Sequence, residues 1–174
     1  SELGQAVLKE MAKSDSYEIL DAIVSFEDTS REIIANIAKR LIVTESSKLG
    51  DYDENNEDYI RVIASIAENK VTDKNTLDEI YEFAMRLKGR YITATTYYKL
   101  AITMLERLAI HPNTSEETLH NIKANEGNSF VKLIVKNPSI SDEWLIELVE
   151  FGISAVREAA IPELVRRLKA KLQE

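Results

Sequence analysis

The chain of 174 residues contains no cysteine, only five glycines and only three prolines. Without cysteine, disulfides, thiolate metal sites and cysteine nucleophiles are excluded, and we expect a cytoplasmic protein because the composition fits a reducing compartment. A β-rich fold needs many glycine- and proline-containing turns, so their scarcity argues against one. The remaining composition, 44% hydrophobic, predicts a single domain over residues 1–174 with a buried core.

Signatures of membrane insertion and catalysis are also missing from the sequence. No apolar run approaches the roughly 20 residues that span a bilayer, and the first residues lack the layout of a signal peptide. The glycine patterns of nucleophile elbows, phosphate loops and dinucleotide sites do not occur. Of the two histidines, we interpret His111 as a turn residue that bonds nearby backbone. His120 lies nine residues further on, so the two do not share a helical face as the histidines of an HExxH zinc site do. We therefore predict a protein that is not an enzyme, with no catalytic residues, metal, cofactor or membrane contact.

The net charge of −8 lies entirely in the first third of the chain. Residues 1–58 contain 14 acidic and 6 basic residues, whereas residues 59–174 contain 16 of each. An acidic surface repels nucleic-acid phosphates, so nucleic-acid binding is disfavoured unless a local basic patch outweighs the balance.

A pattern of turn and helix recurs along the chain. HPNTSEETLHNI at residues 111–122 returns as NPSISDEWLIEL at residues 137–148, and each copy predicts a turn followed by a capped helix. In both copies an apolar pair follows one fixed residue, which we call the repeat position, at five and eight positions. The same spacing is found twice more upstream. The four repeat positions are Thr29, Thr72, Thr114 and Ile140, which are 43, 42 and 26 residues apart. This pattern predicts an all-α solenoid of helical hairpins, each covering its apolar side with the next.

Two repeat families resemble parts of this pattern. A period near 40 with two helices per unit is similar to HEAT repeats. The C-terminal third, with LAIHPNTSEETLHNI, VKLIVKNPSISDEWLIEL and VREAAIPEL, resembles the leucine-rich repeat variant family, whose units read approximately VRxxVAxNPxTPxxLLxxLA. The turns HPNTS and NPSIS, and Val156 with Arg157, carry this resemblance. It implies a right-handed stack of short helices without catalysis, and the iron–sulfur site associated with a member of the family has no cysteine ligands in this sequence.

The first helix is predicted to cap one end of the array, and the last is predicted to close the core. In the first, the apolar side chains at helical spacing are Leu3, Ala6, Val7 and Met11. In the last, they are Leu164, Val165, Leu168 and Leu172. Pro162 is expected in the first turn of a new helix. Thr29 and Glu32 have the spacing of a capping box.

The acidic segment TESSKLGDYDENNED has the composition of an exposed loop. Asp51, Asp53 and Asn55 alternate as the ligands of an EF-hand loop do. However, Asn56 stands where glycine is needed, and Val62 stands where the bidentate glutamate is needed. We therefore predict a solvated connector rather than a calcium site.

One segment, MRLKGRYITATTYYK, is both basic and aromatic. Such a mixture can bind phosphates while its rings stack on bases or on a peptide, and the alternative is a helix end with partly buried tyrosines. Trp144 has the same two interpretations, an interface anchor or packing between repeats. The predicted partner-binding residues are Arg86, Arg90, Tyr91, Tyr97, Lys132 and Arg157.

Three functions fit these observations. The leading hypothesis is a non-enzymatic interaction module, a scaffold, adaptor or inhibitor whose stacked hairpins bind a protein partner. The second is a nucleic-acid-binding HEAT-like protein with cations lining a groove. The third is an acidic inhibitor that imitates nucleic acid; its carboxylates are Asp51, Asp53, Glu54, Glu57 and Asp58.

Overall fold

The computed structural model describes residues 2–47, 56–91 and 95–173, and all regular secondary structure in these ranges is helical. The helices are α1 (Glu2–Met11), α2 (Tyr17–Ser25), α3 (Arg31–Ser47), α4 (Glu57–Ile66), α5 (Lys74–Arg90), α6 (Thr96–Ile110), α7 (Glu116–Glu126), a 3₁₀ helix (Gly127–Phe130), α8 (Val131–Ile134), α9 (Asp142–Phe151) and α10 (Ser154–Lys171). The prediction of an all-α fold is confirmed for this part of the chain.

The helices form two compact units, Ser1–Leu108 and Ala109–Glu174. In the first unit, α1 packs on α2, α2 packs on α4, and α3 packs on α4 and α5. Helices with the same place in successive hairpins therefore stack on each other, α2 on α4 and α3 on α5. Fully buried side chains from these helices form the core, among them Leu20, Ile34, Ile63, Ile80 and Phe83. The single domain over residues 1–174 stays a prediction.

The second unit contains a shorter hairpin. The 3₁₀ helix packs on α7 and α8, and α10 packs on α8 and α9. After α7, the chain forms only four residues of 3₁₀ helix and four of α-helix before the next turn. By contrast, α5 and α6 contain 17 and 15 residues. These short helices account for the spacing of 26 residues between Thr114 and Ile140.

The four repeat positions have the same local structure. At each one the backbone N–H donates a hydrogen bond to the carbonyl three residues earlier, with N···O distances of 3.0, 3.0, 3.1 and 3.4 Å in chain order. All four side chains are buried, with exposures of 3% or less. The apolar pairs that follow are buried as well: Ile34 and Ile37, Leu77 and Ile80, Leu119 and Ile122, Leu145 and Leu148. The repeat read from the sequence is therefore a repeated structure, with two copies in each unit.

The threonines at two repeat positions bind the preceding helix. Thr29 Oγ1 donates a hydrogen bond to the Ile23 carbonyl at 2.6 Å, and Thr72 Oγ1 donates one to the Ile66 carbonyl at 2.7 Å. Each of these carbonyls also accepts a backbone N–H, from Phe26 and from Asn69 respectively, so the threonine hydroxyl is its second donor. Both contacts are buried and join residues six positions apart.

The capping box predicted at Thr29 and Glu32 is wrong. The cap is the next residue, Ser30, whose Oγ accepts the N–H of Ile33 at 3.5 Å. The hydroxyl of Thr29 is occupied by the preceding helix, so it does not cap the following one. The residue after the repeat position also caps the helix in the other three copies; these caps are Asp73, Ser115 and Ser141.

Two asparagines, each three residues before a repeat position, connect consecutive turns. Asn69 Nδ2 donates to the Val24 carbonyl at 2.6 Å, and Asn137 Nδ2 donates to the carbonyls of Ala109 and His111 at 3.0 and 2.9 Å. The Oδ1 of each accepts the backbone N–H two residues later. His111 occupies the same position, and its Nδ1 likewise accepts the N–H two residues later, at 3.1 Å. Within each unit, an asparagine therefore ties one turn to the turn before it.

The prediction that the apolar residues of the last helix close the core is wrong, and the prediction that α1 caps one end of the array stays a prediction. No residue of α1 is buried, and Val156 and Ala160 are the buried residues of α10. Helix α10 also continues through Pro162, so this proline does not begin a new helix. Helical spacing of apolar residues shows that a helix has an apolar face, but it does not show what covers that face.

Candidate functional site

An open groove of about 640 Å³ lies in the first unit between α2, α4 and α6. Small side chains line it, namely Ala22, Ser25, Ala64 and Ser65. The buried side chains of Val62 and Leu100 also contribute to its surface. Its charged residues are Glu18, Asp21, Asp58, Arg61 and Arg107. A second depression of about 510 Å³ shares Ser25 and Ser65 with this groove and extends it to the turn at Asn69.

The acidic part of the groove is at the start of α2. Ser16 caps this helix, with Oγ accepting the Ile19 N–H at 3.4 Å, and it also donates to Glu18 Oε2 at 2.6 Å. This hydrogen bond from Ser16 is the main cause that lowers the pKa of Glu18. The charges of Glu18 and Asp58 raise the pKa of Tyr17. At neutral pH the groove therefore presents an ionised Glu18 beside a neutral phenol.

An aromatic pair is found at the same end of the groove. The rings of Tyr17 and Tyr59 meet edge to face, with centroids 6.2 Å apart and planes at 82°. The Tyr59 hydroxyl donates a hydrogen bond to the backbone carbonyl of Asp15. This contact fixes Tyr59, and Tyr59 in turn supports the Tyr17 ring, which lines the groove.

The basic part of the groove comes from α4 and α6. Arg61 pairs with Glu57 at 3.5 Å, one turn earlier on α4, and Arg107 pairs with Glu68 at 3.1 Å. In each pair one partner is more than half exposed to solvent, and pairs that water reaches in this way contribute only about 0–1 kcal/mol. A carboxylate on a bound ligand therefore competes with Glu57 and Glu68 for these guanidinium groups at little cost.

The predicted partner-binding residues of the first unit are not in this groove. Arg86 and Arg90 are exposed one turn apart on α5, and Arg86 Nη2 donates to Ser46 Oγ on α3 at 3.1 Å. Tyr91 and Tyr97 contact each other edge to face, with centroids 4.8 Å apart. Tyr97 is 2% exposed, so its ring belongs to the core and does not present a face on which a ligand can stack.

In the second unit, the two predicted cations are exposed on different helices. Lys132 of α8 lines a depression of about 390 Å³, together with Lys136 and Glu158, whereas Arg157 of α10 does not line it. Trp144 is buried and stacks on His120, with ring centroids 3.6 Å apart. Of the two interpretations of Trp144, the buried side chain therefore fits packing and does not fit an exposed interface anchor.

Several acidic residues singled out in the sequence lie outside the described residues. They are Asp51, Asp53 and Glu54, and the neighbouring Asn55 lies outside as well. Of the carboxylates named for nucleic-acid mimicry, only Glu57 and Asp58 are described; they begin α4, and Asp58 lines the groove.

Comparisons of the chain with protein-family models, with curated proteins and with solved structures found no match. The resemblance to HEAT and leucine-rich repeat variant families therefore stays a prediction. Within the described ranges, no helix has the length and apolar character that crossing a membrane requires. The same residues contain no cluster of three or more His, Asp or Glu side chains suited to a metal ion.

Proposed function

We propose that the protein is a non-enzymatic interaction module, an α-solenoid that binds an extended segment of a protein partner. The groove over α2, α4 and α6 is the observation that carries this proposal, because it combines an open surface built from three helices with both signs of charge. Solenoid proteins bind partners on surfaces built in this way from successive repeats.

The stacking of equivalent helices supports the solenoid part of the proposal. Helix α2 packs on α4 and α3 packs on α5, and Asn69 ties the second turn to the first. In the proposed solenoid, each hairpin adds one helix to the layer that contains the groove and one to the layer behind it. The right-handed course implied by the family resemblance, and a cytoplasmic location consistent with the lack of cysteine, belong to the same proposal.

The groove chemistry indicates what kind of segment binds. Small residues in the groove allow a peptide backbone to approach closely, and the hydroxyls of Ser25 and Ser65 offer hydrogen bonds to its amides and carbonyls. The Thr103 hydroxyl donates to the Lys99 carbonyl and offers only an acceptor. A segment with Lys or Arg facing Glu18 and one acidic residue facing Arg107 matches the charges. Nucleic acid is a poorer match, because three carboxylates outnumber two guanidinium groups here and repel phosphate. Arg86, Arg90, Lys132 and Arg157 stay predicted contacts outside the groove.

This function is tested by selecting peptides that bind the wild-type protein from a displayed random library. We expect enriched peptides that carry both signs of charge and bind with micromolar affinity. The Ala22→Trp variant, which fills the groove from α2, is expected to weaken their binding at least about tenfold, measured by calorimetry.

Ala124→Trp provides the matched control, because Ala124 is an exposed alanine on α7 in the other unit. Its affinity for the selected peptides should equal that of the wild type. If no peptides are enriched, or if the Ala22→Trp variant binds them as tightly as the control does, the groove is not the binding site.

A further inference from the structure

Helix α10 carries an exposed apolar stripe with the spacing of a coiled coil. Its residues are Ile161, Val165, Leu168 and Leu172, which are 46%, 43%, 50% and 86% exposed. Intervals of four, three and four residues between apolar positions are those of the core positions of a heptad repeat. We call these residues the α10 stripe. Exposed apolar residues that form a contiguous patch mark interaction sites in soluble proteins.

The opposite side of α10 already holds this helix in its unit. Val156 and Ala160 are buried, and Glu163 and Arg167 follow at the same intervals with side chains 10% and 15% exposed. Arg167 donates to the Ile140 carbonyl at 2.7 Å and to the Asn137 carbonyl at 3.0 Å. Each residue of the α10 stripe follows one of these four by five positions, a rotation of about 140° around the helix. The α10 stripe therefore faces away from the unit that contains it.

Helix α1 carries a second exposed stripe. Leu3, Val7 and Met11 lie at intervals of four residues and are 77%, 51% and 44% exposed. We call these residues the α1 stripe. The other side of α1 contacts its own unit through Gln5, which donates to the Asp28 carbonyl at 2.5 Å and accepts the Ser30 N–H at 3.1 Å.

The two stripes lie in regions of opposite charge. Helix α1 holds two acidic residues and one basic residue, a net charge of −1. Helix α10 holds five basic and two acidic residues, a net charge of +3. Pairing α10 with a second α10 brings like charges together, whereas pairing it with α1 brings opposite charges together.

We propose that the α10 stripe of one copy of the protein binds the α1 stripe of a second copy. The contact is heterologous, so each copy retains one unused stripe and further copies can add to the chain. Two helices of 10 and 18 residues offer less contact area than the roughly 1,200 Å² of a standard interface, so we expect weak association. This proposal does not depend on the groove.

Disulfide formation between single-cysteine variants tests the pairing, because the natural sequence contains no cysteine. Val7→Cys and Val165→Cys proteins are mixed at high concentration and oxidised mildly. We expect the disulfide between the two different variants to exceed each like-with-like disulfide at least about tenfold. The proposal would be overturned if the disulfides formed in the proportions of random collision, if like-with-like pairs were in excess, or if no disulfide formed.

Sedimentation velocity over a concentration series provides a second test with a matched pair of variants. Val165→Glu and Ala170→Glu make the same change of charge at exposed positions of α10, but only Val165 belongs to the α10 stripe. We expect wild type and Ala170→Glu to associate with rising concentration, and Val165→Glu to associate at least about tenfold more weakly. Circular dichroism checks that both variants fold. Equal association of the two variants, or a wild type that stays monomeric at millimolar concentration, would contradict the pairing.

Discussion

Replacement of Asn137 by alanine is expected to lower the free energy of unfolding by about 3 kcal/mol. The side chain is 1% exposed, donates to the carbonyls of Ala109 and His111, and accepts the N–H of Ser139. A buried hydrogen bond of this kind contributes about 1 kcal/mol, and alanine removes all three of them. Urea unfolding followed by circular dichroism measures the change as a lower midpoint at constant slope.

Asn121→Ala is the control for this prediction. Asn121 is exposed on α7, in the same unit, and its replacement should change stability by no more than about 0.5 kcal/mol. An Asn137→Ala protein that loses less than about 1 kcal/mol would show that the side chain does not tie the two turns together.

Replacement of Leu145 by alanine is expected to cost about 3 kcal/mol of unfolding free energy. Leu145 is 0% exposed and lies five positions after the repeat position Ile140. The loss combines the transfer of apolar surface with the cavity left among neighbours that relax only in part. Urea unfolding gives the value, since a change of this size shifts the midpoint clearly.

The neighbouring residue on α9 offers a close comparison. Ile146 is 43% exposed, so Ile146→Ala removes a similar amount of hydrocarbon from a site that water already reaches. We expect a loss below about 1 kcal/mol for this variant. Equal losses for Leu145→Ala and Ile146→Ala would contradict the burial pattern on which the repeat depends.

The apolar pattern made the repeat predictable from the sequence. The pairs after Thr29, Thr72, Thr114 and Ile140 are buried because a helix beside other helices turns one apolar face inward, and spacing alone identifies that face. The all-α class followed from the same periodicity. The shorter unit after Thr114 was visible as a spacing of 26 residues.

The polar connections between turns were harder to predict. Asn69 and Asn137 look like ordinary turn residues, because asparagine commonly bonds its own local backbone. Their second role, donation to the preceding turn, depends on the distance between two turns that are far apart in the sequence. The sequence did contain a signal for this role, because Asn69, His111 and Asn137 each lie three positions before a repeat position.

The groove could not be located before the stacking of the helices was known. Glu18, Asp58 and Arg107 lie on three helices that are separated in the sequence, and they line one surface only because α2, α4 and α6 all border the groove. The sequence did predict an acidic first third, and Glu18, Asp21 and Asp58 are part of it. The basic and aromatic segment drew attention to Tyr97 because composition does not distinguish an exposed ring from a buried one.

Native-state hydrogen exchange tests most directly whether the four turns are equivalent links of one repeat. The N–H groups of Thr29, Thr72, Thr114 and Ile140 each bond the carbonyl three residues earlier in a buried turn. If the turns are equivalent, all four should exchange at least about a hundredfold more slowly than unprotected amides. Rapid exchange at any one of the four, in a protein whose other turns are protected, would contradict the repeat.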